Sequence, residues 1–445
     1  MLKTFSIGGV HPHENKFSAH QSIITAAVPE KAVILLGQHI GAPAKPVVAK
    51  GDVVKVGTLI AEAGGFVSAA VHSSVSGKVT KIDSIVDASG YAKPAIFIDV
   101  DGDEWEENID RTPDLIKDCS LSSEEIVKKI ASAGIVGLGG ACFPTQVKLT
   151  PPPTAKAECI IINAVECEPY LTADHQLMLE HAEEIMVGVN ILMKAVKVNK
   201  AFIGIENNKP DAIELMKKVA SGYAGITVVP LKVQYPQGGE KQLIDAVMSR
   251  QVASGALPIS VGAVVQNVGT AFAVYEAVQK NKPLFERVIT ITGKSVKQPS
   301  NFMARIGTPM KQLIEACGGL PEDTGKIISG GPMMGKALVN TDVPTAKGSS
   351  GILIMNIKEA KRGEAKSCIR CGKCVGACPM GLEPYLLSVL AENGDFERME
   401  REHIMDCIEC GSCQFTCPAR LPLLDYCRLG KAKVGAMIRS RQAKN

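Results

Sequence analysis

Residues 368–379 read C-I-R-C-G-K-C-V-G-A-C-P, and after 27 further residues 407–418 read C-I-E-C-G-S-C-Q-F-T-C-P. Each half is C-x2-C-x2-C-x3-C-P. A tight C-x2-C-x2-C loop sets three thiolates on three irons of one cubane, and the Cys before Pro turns towards a second cubane. The expected ligand sets are Cys368, Cys371, Cys374 and Cys417 for one [4Fe–4S] cluster, and Cys407, Cys410, Cys413 and Cys378 for the other. Structural zinc sites use related spacings, but zinc gives no reason for two copies that both close with x3-C-P. A disulfide framework is set aside because nothing marks the chain as secreted. Two clusters held close together pass electrons one at a time.

Outward from this stretch, 445 residues are too many for a single core, so several domains are expected. A hydrophobic content of 46% with 21% charged residues fits an ordinary globular protein. A net charge of +3 argues against nucleic acid as a partner. Of the fourteen cysteines, Cys119, Cys142, Cys159, Cys167, Cys317 and Cys427 lie outside the two motifs in no regular pattern, which fits a reducing compartment. The start, MLKTFSIGGVHPHENKF, has no basic-then-apolar signal pattern. The most apolar run (261–278) is broken by Gln266, Asn267, Thr270 and Glu276, short of the roughly 18 apolar residues a span needs. The chain is therefore expected to reach a membrane only through a partner.

In chain order, 1–26 reads as an irregular segment in which G-G-V-H-P-H-E-N-K (8–16) is a loop packed on another domain, with a metal site at His11 and His13 the lesser alternative. Residues 27–110 alternate with period two between K-G-D, A-G-G and V-S-G turns, an all-β unit. The run A-K-G-D-V-V-K-V-G-T-L-I-A-E with V-H-S-S-V-S-G-K-V resembles a lipoyl/biotinyl-type barrel-sandwich. Its hairpin tip, near Gly64–Val67, carries no lysine, so a structural or docking role is expected rather than a swinging arm. The acidic stretch 101–121 reads as a linker, and S-S-E-E-I-V-K-K-I predicts a helix over about 123–133.

Then comes A-G-I-V-G-L-G-G-A-C-F-P-T-Q-V-K-L (133–149). Its glycines make a poor helix or strand interior but let a backbone approach a flat or anionic ligand. The strand E-C-I-I-I-N-A-V-E-C-E-P-Y (158–170) ends in Glu166 and Glu168, which either meet a ligand or are solvated charges at a loop mouth. Strands at 201–210, 226–233 and about 261–266 alternate with helices at 177–196 and 211–220, which implies a parallel sheet over 117–280. Residues 284–350 look like a β-grasp module, 344–366 a link, and 358–430 the cluster domain, with helix over much of 382–401.

The loop G-L-G-G-A-C-F-P-T-Q-V-K (137–148) followed by N-A-V-E-C-E-P (163–169) resembles the FMN- and NADH-binding subunit of respiratory complex I. Cys142 stands where that family usually has Gly, and that family's subunit binds one cluster where this chain has motifs for two. With the G-G-V-H-P start, the sandwich domain, N-A-V-E-C-E-P-Y-L-T-A-D-H and the eight-Cys tail, nearly the whole chain resembles the C subunit of the Rnf ion-translocating electron transport complexes. That resemblance implies a multidomain α/β protein: a barrel-sandwich domain, a Rossmann-like FMN/NADH domain, a β-grasp (SLBB-like) module and a two-[4Fe–4S] ferredoxin-type domain. It implies noncovalent FMN, NADH as substrate, membrane subunits as partners and a peripheral place on the cytoplasmic face of the inner membrane. Carried over, Gly137, Gly139, Gly140 and Ala141 would bring backbone to flavin and phosphate, and Phe143 would stack on a ring. Lys148 would meet phosphate or the isoalloxazine. Asn163 and Asn267 would hydrogen-bond FMN, and Glu166 and Glu168 would take the NADH ribose and carboxamide region. No side chain is expected as a catalytic acid or base, because hydride transfer is cofactor chemistry. Cys142 and Cys167 read as buried inert thiols, with flavin tuning the alternative. Two other readings stay open: a cobalamin reductase-like protein of diol-utilising microcompartments, and a nonenzymatic wiring subunit in which only the clusters act.

Overall fold

A computed structural model describes residues 2–442. Strands Lys31–Leu35, Ala92–Val100, Gly77–Val86 and Val53–Val54 form one antiparallel sheet, and Lys45–Pro46, Leu59–Glu62 and Val71–His72 a second. The period-two pattern turns Ile34, Val54, Ile60, Val79, Ile96 and Ile98 into the space between them. This is the expected sandwich. Its hairpin tip leaves Phe66 76% exposed. The acidic stretch after it is tied down rather than loose: Trp105 packs edge-on against Phe285, ring centroids 5.2 Å apart, with the Arg111 and Arg305 guanidinium groups over its ring.

The flavin-type domain has four parallel strands in the order Ile226–Leu231, Ala201–Glu206, Cys159–Asn163, Ala263–Asn267. The central runs C-I-I-I-N and A-V-V-Q-N are almost continuously apolar because helices cover both faces. The chain steps outward from Cys159–Asn163 through two strands and then returns to that strand's other side. The order thus reverses between Cys159–Asn163 and Ala263–Asn267. Helix Ser123–Ser132 starts as expected, at a capping box in which Ser122 and Glu125 satisfy each other's backbone N–H.

The predicted helix over 177–196 is two helices, Ala173–Glu180 and Ala182–Ala195, broken at His181 (φ −128°, ψ 36°). The break lets the second helix lie directly on helix Val268–Gln279. There Gly188 faces the Ala271 carbonyl so closely that a Cβ would sit 1.9 Å from its oxygen.

The β-grasp sheet runs Ile23–Thr25, Ser300–Arg305, Glu286–Thr292, Gly351–Asn356, Thr324–Ser329, Lys336–Ala337, with helix Met310–Ala316 packed over Ile289, Ile291, Phe302 and Ile354. Two expectations change here. The supposed link 344–366 contains Gly351–Asn356, an inner strand of this sheet, because G-I-L-I-M-N is a short apolar run buried on both sides. The irregular segment 1–26 supplies the edge strand Ile23–Thr25, parallel to Ser300–Arg305.

The cluster domain packs the short helices Pro384–Glu392 and Phe396–Arg401 against the long helix Leu423–Gln442 through Leu387, Leu390, Met399 and Val434. That last helix continues past residue 430, where the sequence pattern closes the domain.

Candidate functional site: a switch-point crevice and two thiol sets

In a parallel sheet, ligands bind outside the carboxyl ends of strands where the strand order reverses. Asn163 and Asn267 end the two strands at that point and are direct register partners. Asn267 also caps helix Val268–Gln279, its Oδ1 accepting from Gly269 N at 2.8 Å, so a helix N-terminus opens into the crevice. Its Nδ2 donates to Asp174 Oδ2 at 2.7 Å. Asn163 Nδ2 donates to Gly238 O at 2.8 Å, which fixes the turn Tyr235–Gly239 as the opposite wall.

The glycine loop lies over this crevice. Gly137 N–H bonds Phe143 O at 2.9 Å and closes the loop, and Leu138 N–H bonds Thr270 Oγ1 at 3.0 Å and anchors it to the helix. Gly139 packs onto Asn267, whose Nδ2 would be 2.5 Å from any Cβ, whereas nothing lies within 4 Å of a Cβ on Gly140. Gly139, Gly140 and Ala141 are exposed and Phe143 is half-buried. Gln266 Nε2, next in sequence to Asn267 at the strand end, and Thr145 Oγ1, two residues after Phe143, are buried without partners. An open glycine backbone, a helix N-terminus and unpaired buried donors suit a flat ligand with a phosphate.

The charged residues expected here are already engaged. Lys148 Nζ is 2.6 Å from Glu240 Oε1 and 3.1 Å from Val265 O, so its charge is balanced by Glu240 rather than free for a phosphate. Glu166, at φ +47°, accepts the N–H groups of Asp174 and His175 and caps helix Ala173–Glu180. Glu168 accepts the N–H groups of Met333 and Met334 at 3.2 and 2.7 Å, holding the G-G-P-M-M turn of the β-grasp module. Burial pushes the Glu168 carboxyl up to about 7, against the pull of those two N–H groups. Both carboxylates thus hold the strand-end loop through these bonds. Burial also raises the Asp174 carboxyl, and the charge of Glu166 adds to it.

Burial raises the thiols of Cys142 and Cys167, in keeping with inert groups. Cys142, at φ +53°, forms the bend of the loop, and Cys167 accepts Gly238 N–H at 3.3 Å. Under the loop lies Lys347, 1% exposed, its Nζ donating to Ala70 O of the sandwich and Gly134 O of the flavin-type domain at 2.7 Å each. Burial pushes this amine down to about 7. No sequence signal marks Lys347. Tyr235 is legible only as part of a strand-end Y-P-Q-G-G turn.

The cysteine motifs fold as a repeat. Arg370 and Glu409 adopt φ +53° and +56°, Gly372 and Gly411 φ +72° and +78°. The Arg370 and Glu409 N–H groups each point at the first sulfur of their loop, 3.4 Å from Cys368 Sγ and Cys407 Sγ. Burial pushes Cys413 up to about 12, and the charges of Cys410, Cys407 and Cys378 add to it. Burial also raises Cys374, where the neighbouring thiol charge is that of Cys417. The Cys before Pro of each motif is thus within electrostatic reach of the other motif, Cys378 of Cys413 and Cys417 of Cys374, which is compatible with crossed ligation of two cubanes. Among the described residues no three of His, Cys, Asp or Glu converge on a single-ion site. Cys427, a buried thiol outside both motifs, sits against Cys407.

The second set faces inward. Tyr235, 2% exposed, donates its hydroxyl to Cys410 O at 2.8 Å, three residues before the Gly238 carbonyl that Asn163 grips. The N-terminal arm seals the joint. Val10 and Tyr235 exchange backbone bonds of 2.8 and 2.9 Å, Gly9 N–H bonds Ala377 O, and Lys16 Nζ is spent on the carbonyls of Glu166, Glu168 and Leu171. The packed-loop reading of 8–16 therefore describes this arm, and His11 and His13 lie on it, His11 exposed. The first set faces outward, with Cys368 and Cys371 exposed.

A switch-point crevice joined to two cysteine motifs defines an electron-transferring flavin and iron–sulfur protein. Sequence-family models match in the same order: the RnfC barrel sandwich hybrid domain at 3–103, the Nuo51 FMN-binding domain at 130–276, the SLBB domain at 288–337 and a 4Fe-4S dicluster domain at 360–418. The chain is 49% identical to the C subunit of a proton-translocating ferredoxin:NAD(+) oxidoreductase complex from Clostridium ljungdahlii, over 91% of this chain and 88% of that one. It is 44% identical to the C subunit of the Na(+)-translocating complex of Acetobacterium woodii, over 97% of each chain. The C subunit of an ion-translocating oxidoreductase complex from Rhodobacter capsulatus is 43% identical, over 97% of this chain and 84% of that one. The chain belongs to the family formed by the C subunits of the Rnf ion-translocating oxidoreductase complexes. Among the described residues no helix is long and apolar enough to cross a membrane.

Proposed function

We propose that this chain is the electron-entry and exit subunit of an ion-translocating NADH:ferredoxin oxidoreductase, held by membrane subunits at the cytoplasmic face of the inner membrane. The observation that carries the reading is the Tyr235–Cys410 bond, which joins the switch-point crevice to the inner thiol set. FMN, when bound, takes two electrons from NADH as hydride and releases them singly. Gly137, Gly139, Gly140 and Ala141 would hold it against the helix N-terminus at Asn267, with Asn163 at the strand end and Phe143 beside the ring. Lys148, Glu166 and Glu168 position that wall through their own protein partners. The inner set (Cys407, Cys410, Cys413, Cys378) would receive electrons before the outer set (Cys368, Cys371, Cys374, Cys417), since the Tyr235 bond ties the crevice wall to the inner one.

The test is anaerobic reconstitution with iron, sulfide and FMN, followed by NADH. Bleaching of the cluster absorbance with a reduced [4Fe–4S] EPR signal is expected. Clusters that dithionite reduces but NADH does not would overturn the flavin assignment and leave a wiring subunit.

A further inference from the structure

The two cysteine motifs repeat beyond their cysteines. Gly381 and Arg420 stand at the same point after each Cys-Pro, with φ +67° and +57°. Helices Pro384–Glu392 and Leu423–Gln442 then begin at the same point after them. Ser388 and Cys427 therefore occupy equivalent places, ten residues beyond Cys378 and Cys417. Lys373 and Ser412 are likewise equivalent, each two residues after the second cysteine of its loop. At both places the copies differ.

At the inner loop both residues meet the sulfur of an expected ligand. Ser412 is fully buried, its Oγ 3.4 Å from Cys410 Sγ. Cys427 is buried among Leu387, Leu390, Met399 and Val434, and its thiol bonds Cys407 Sγ. The helix that carries Cys427 is pinned to this loop. Lys431 Nζ donates to Cys407 O at 2.5 Å, and Arg428 and Lys431 pair with Glu409 at 3.3 and 3.4 Å. At the outer loop Lys373 is exposed, and the Ser388 hydroxyl is spent on Tyr385 O of its own helix at 2.8 Å.

A cysteine that holds iron is a thiolate and can only accept a hydrogen bond. The hydrogens in both contacts then belong to the Ser412 hydroxyl and to the Cys427 thiol, which stays protonated in an apolar place. An electron added to a cluster makes its ligand sulfurs more negative and strengthens a bond donated to them, which favours the reduced state. Burial acts the other way, because added charge is harder to hold out of water. The inner set is the more buried of the two and the one with these donors.

We propose that Ser412 and Cys427 donate hydrogen bonds to the sulfurs of Cys410 and Cys407 and raise the reduction potential of the inner cluster, offsetting the cost of its burial. The inference rests on the reading that these cysteines hold a cluster. In the tuned step that cluster gains one electron, supplied by NADH or, in the test, by dithionite; no bond breaks and both donors keep their protons.

The full chain reconstituted with iron, sulfide and FMN is titrated with dithionite at controlled potentials, and the reduced EPR signal of each cluster is followed. The signal that Cys413→Ala removes is the inner one. Ser412→Ala and Cys427→Ala are each expected to cut the reduced-to-oxidised ratio of the inner cluster about tenfold at a fixed potential, a midpoint ~59 mV lower for one electron. Cys427→Ser keeps a donor and should stay near the unmodified midpoint, and the outer signal should not move. Unmoved inner midpoints in both alanine variants overturn the proposal. So does Cys427→Ser matching Cys427→Ala, or an equal shift of both clusters, since either is an effect of packing alone. If Cys427→Ala loses the inner cluster, Ser412→Ala, which removes a single oxygen, decides alone. A chain that takes up about four irons rather than about eight would sink the ligation reading. The full complement of iron with unmoved midpoints sinks this inference and leaves that reading standing.

Discussion

Adjacent glycines in the 137–143 loop are expected to respond to alanine in opposite ways. A Cβ on Gly139 would lie 2.5 Å from Asn267 Nδ2 and 2.9 Å from its Cγ. Neither partner yields freely. Asn267 caps helix Val268–Gln279 through Gly269 N–H and also holds Asp174. Giving up the cap costs about 1 kcal/mol, and forcing an extra methyl into a packed joint costs about 1–3 kcal/mol. The G139A variant should therefore open the start of this helix more easily by about 1–3 kcal/mol, a roughly 5- to 150-fold faster amide exchange. On Gly140 a Cβ meets nothing within 4 Å, so G140A should leave exchange in the flavin-free chain within about 0.5 kcal/mol of wild type. If the backbone at Gly140 touches flavin, that same methyl weakens FMN binding. The assay is hydrogen exchange by mass spectrometry over residues 263–279, with FMN titration by fluorescence quenching. Equal exchange in the two variants would refute the packing argument. G140A binding FMN as tightly as wild type would refute the placement of the ligand over this loop.

Three further outcomes are expected. Tyr235→Phe strands the Cys410 carbonyl in a buried place, which costs about 1–3 kcal/mol and should alter the EPR line shape of one cluster only; unchanged spectra would show that the bond is incidental. Cys417→Ala should remove the same cluster spectrum as Cys374→Ala and not that removed by Cys413→Ala, each change leaving about half of the iron, whereas matching Cys413→Ala would refute the crossed ligation. Lys347 has its amine lowered from 10.5 to about 7, so the folded chain binds fewer protons than the unfolded one between those values. Stability gained through Lys347 is thus present at high pH and lost as pH falls to about 7. Relative to Lys347→Met, the unmodified chain should gain stability from pH 7.5 to 9.5, and a constant difference in denaturation midpoint would contradict this.

How much of this can be read from the residues follows from the range of each interaction. The cysteine sets are legible because metal ligation is spelled out in local spacing. The glycine loop and strand ends are legible for the same reason, since a switch-point crevice is built where short motifs meet. What stays hidden depends on partners far along the chain. Lys347 looks like any surface lysine until Ala70 and Gly134 close on it. Glu166 and Glu168 look like free ligands until the backbone N–H groups they cap are in place. Gly351–Asn356 reads as part of a link because six residues flanked by glycine and serine carry little periodicity, and only the neighbouring strands give them a face. The break at His181 falls inside a pattern that is helical on both sides.

The arm that seals the joint is made long before the parts it touches. Its strand Ile23–Thr25 pairs with Asn301–Met303, and Gly9 bonds Ala377 beside the inner thiol set. During synthesis from the amino terminus its partners at Leu231, Tyr235 and Asn301–Met303 emerge before the cluster domain, and Ala377 after them. Such distant pairings form slowly. The beginning of the chain therefore helps to complete the surface on which the last domain to be made comes to rest.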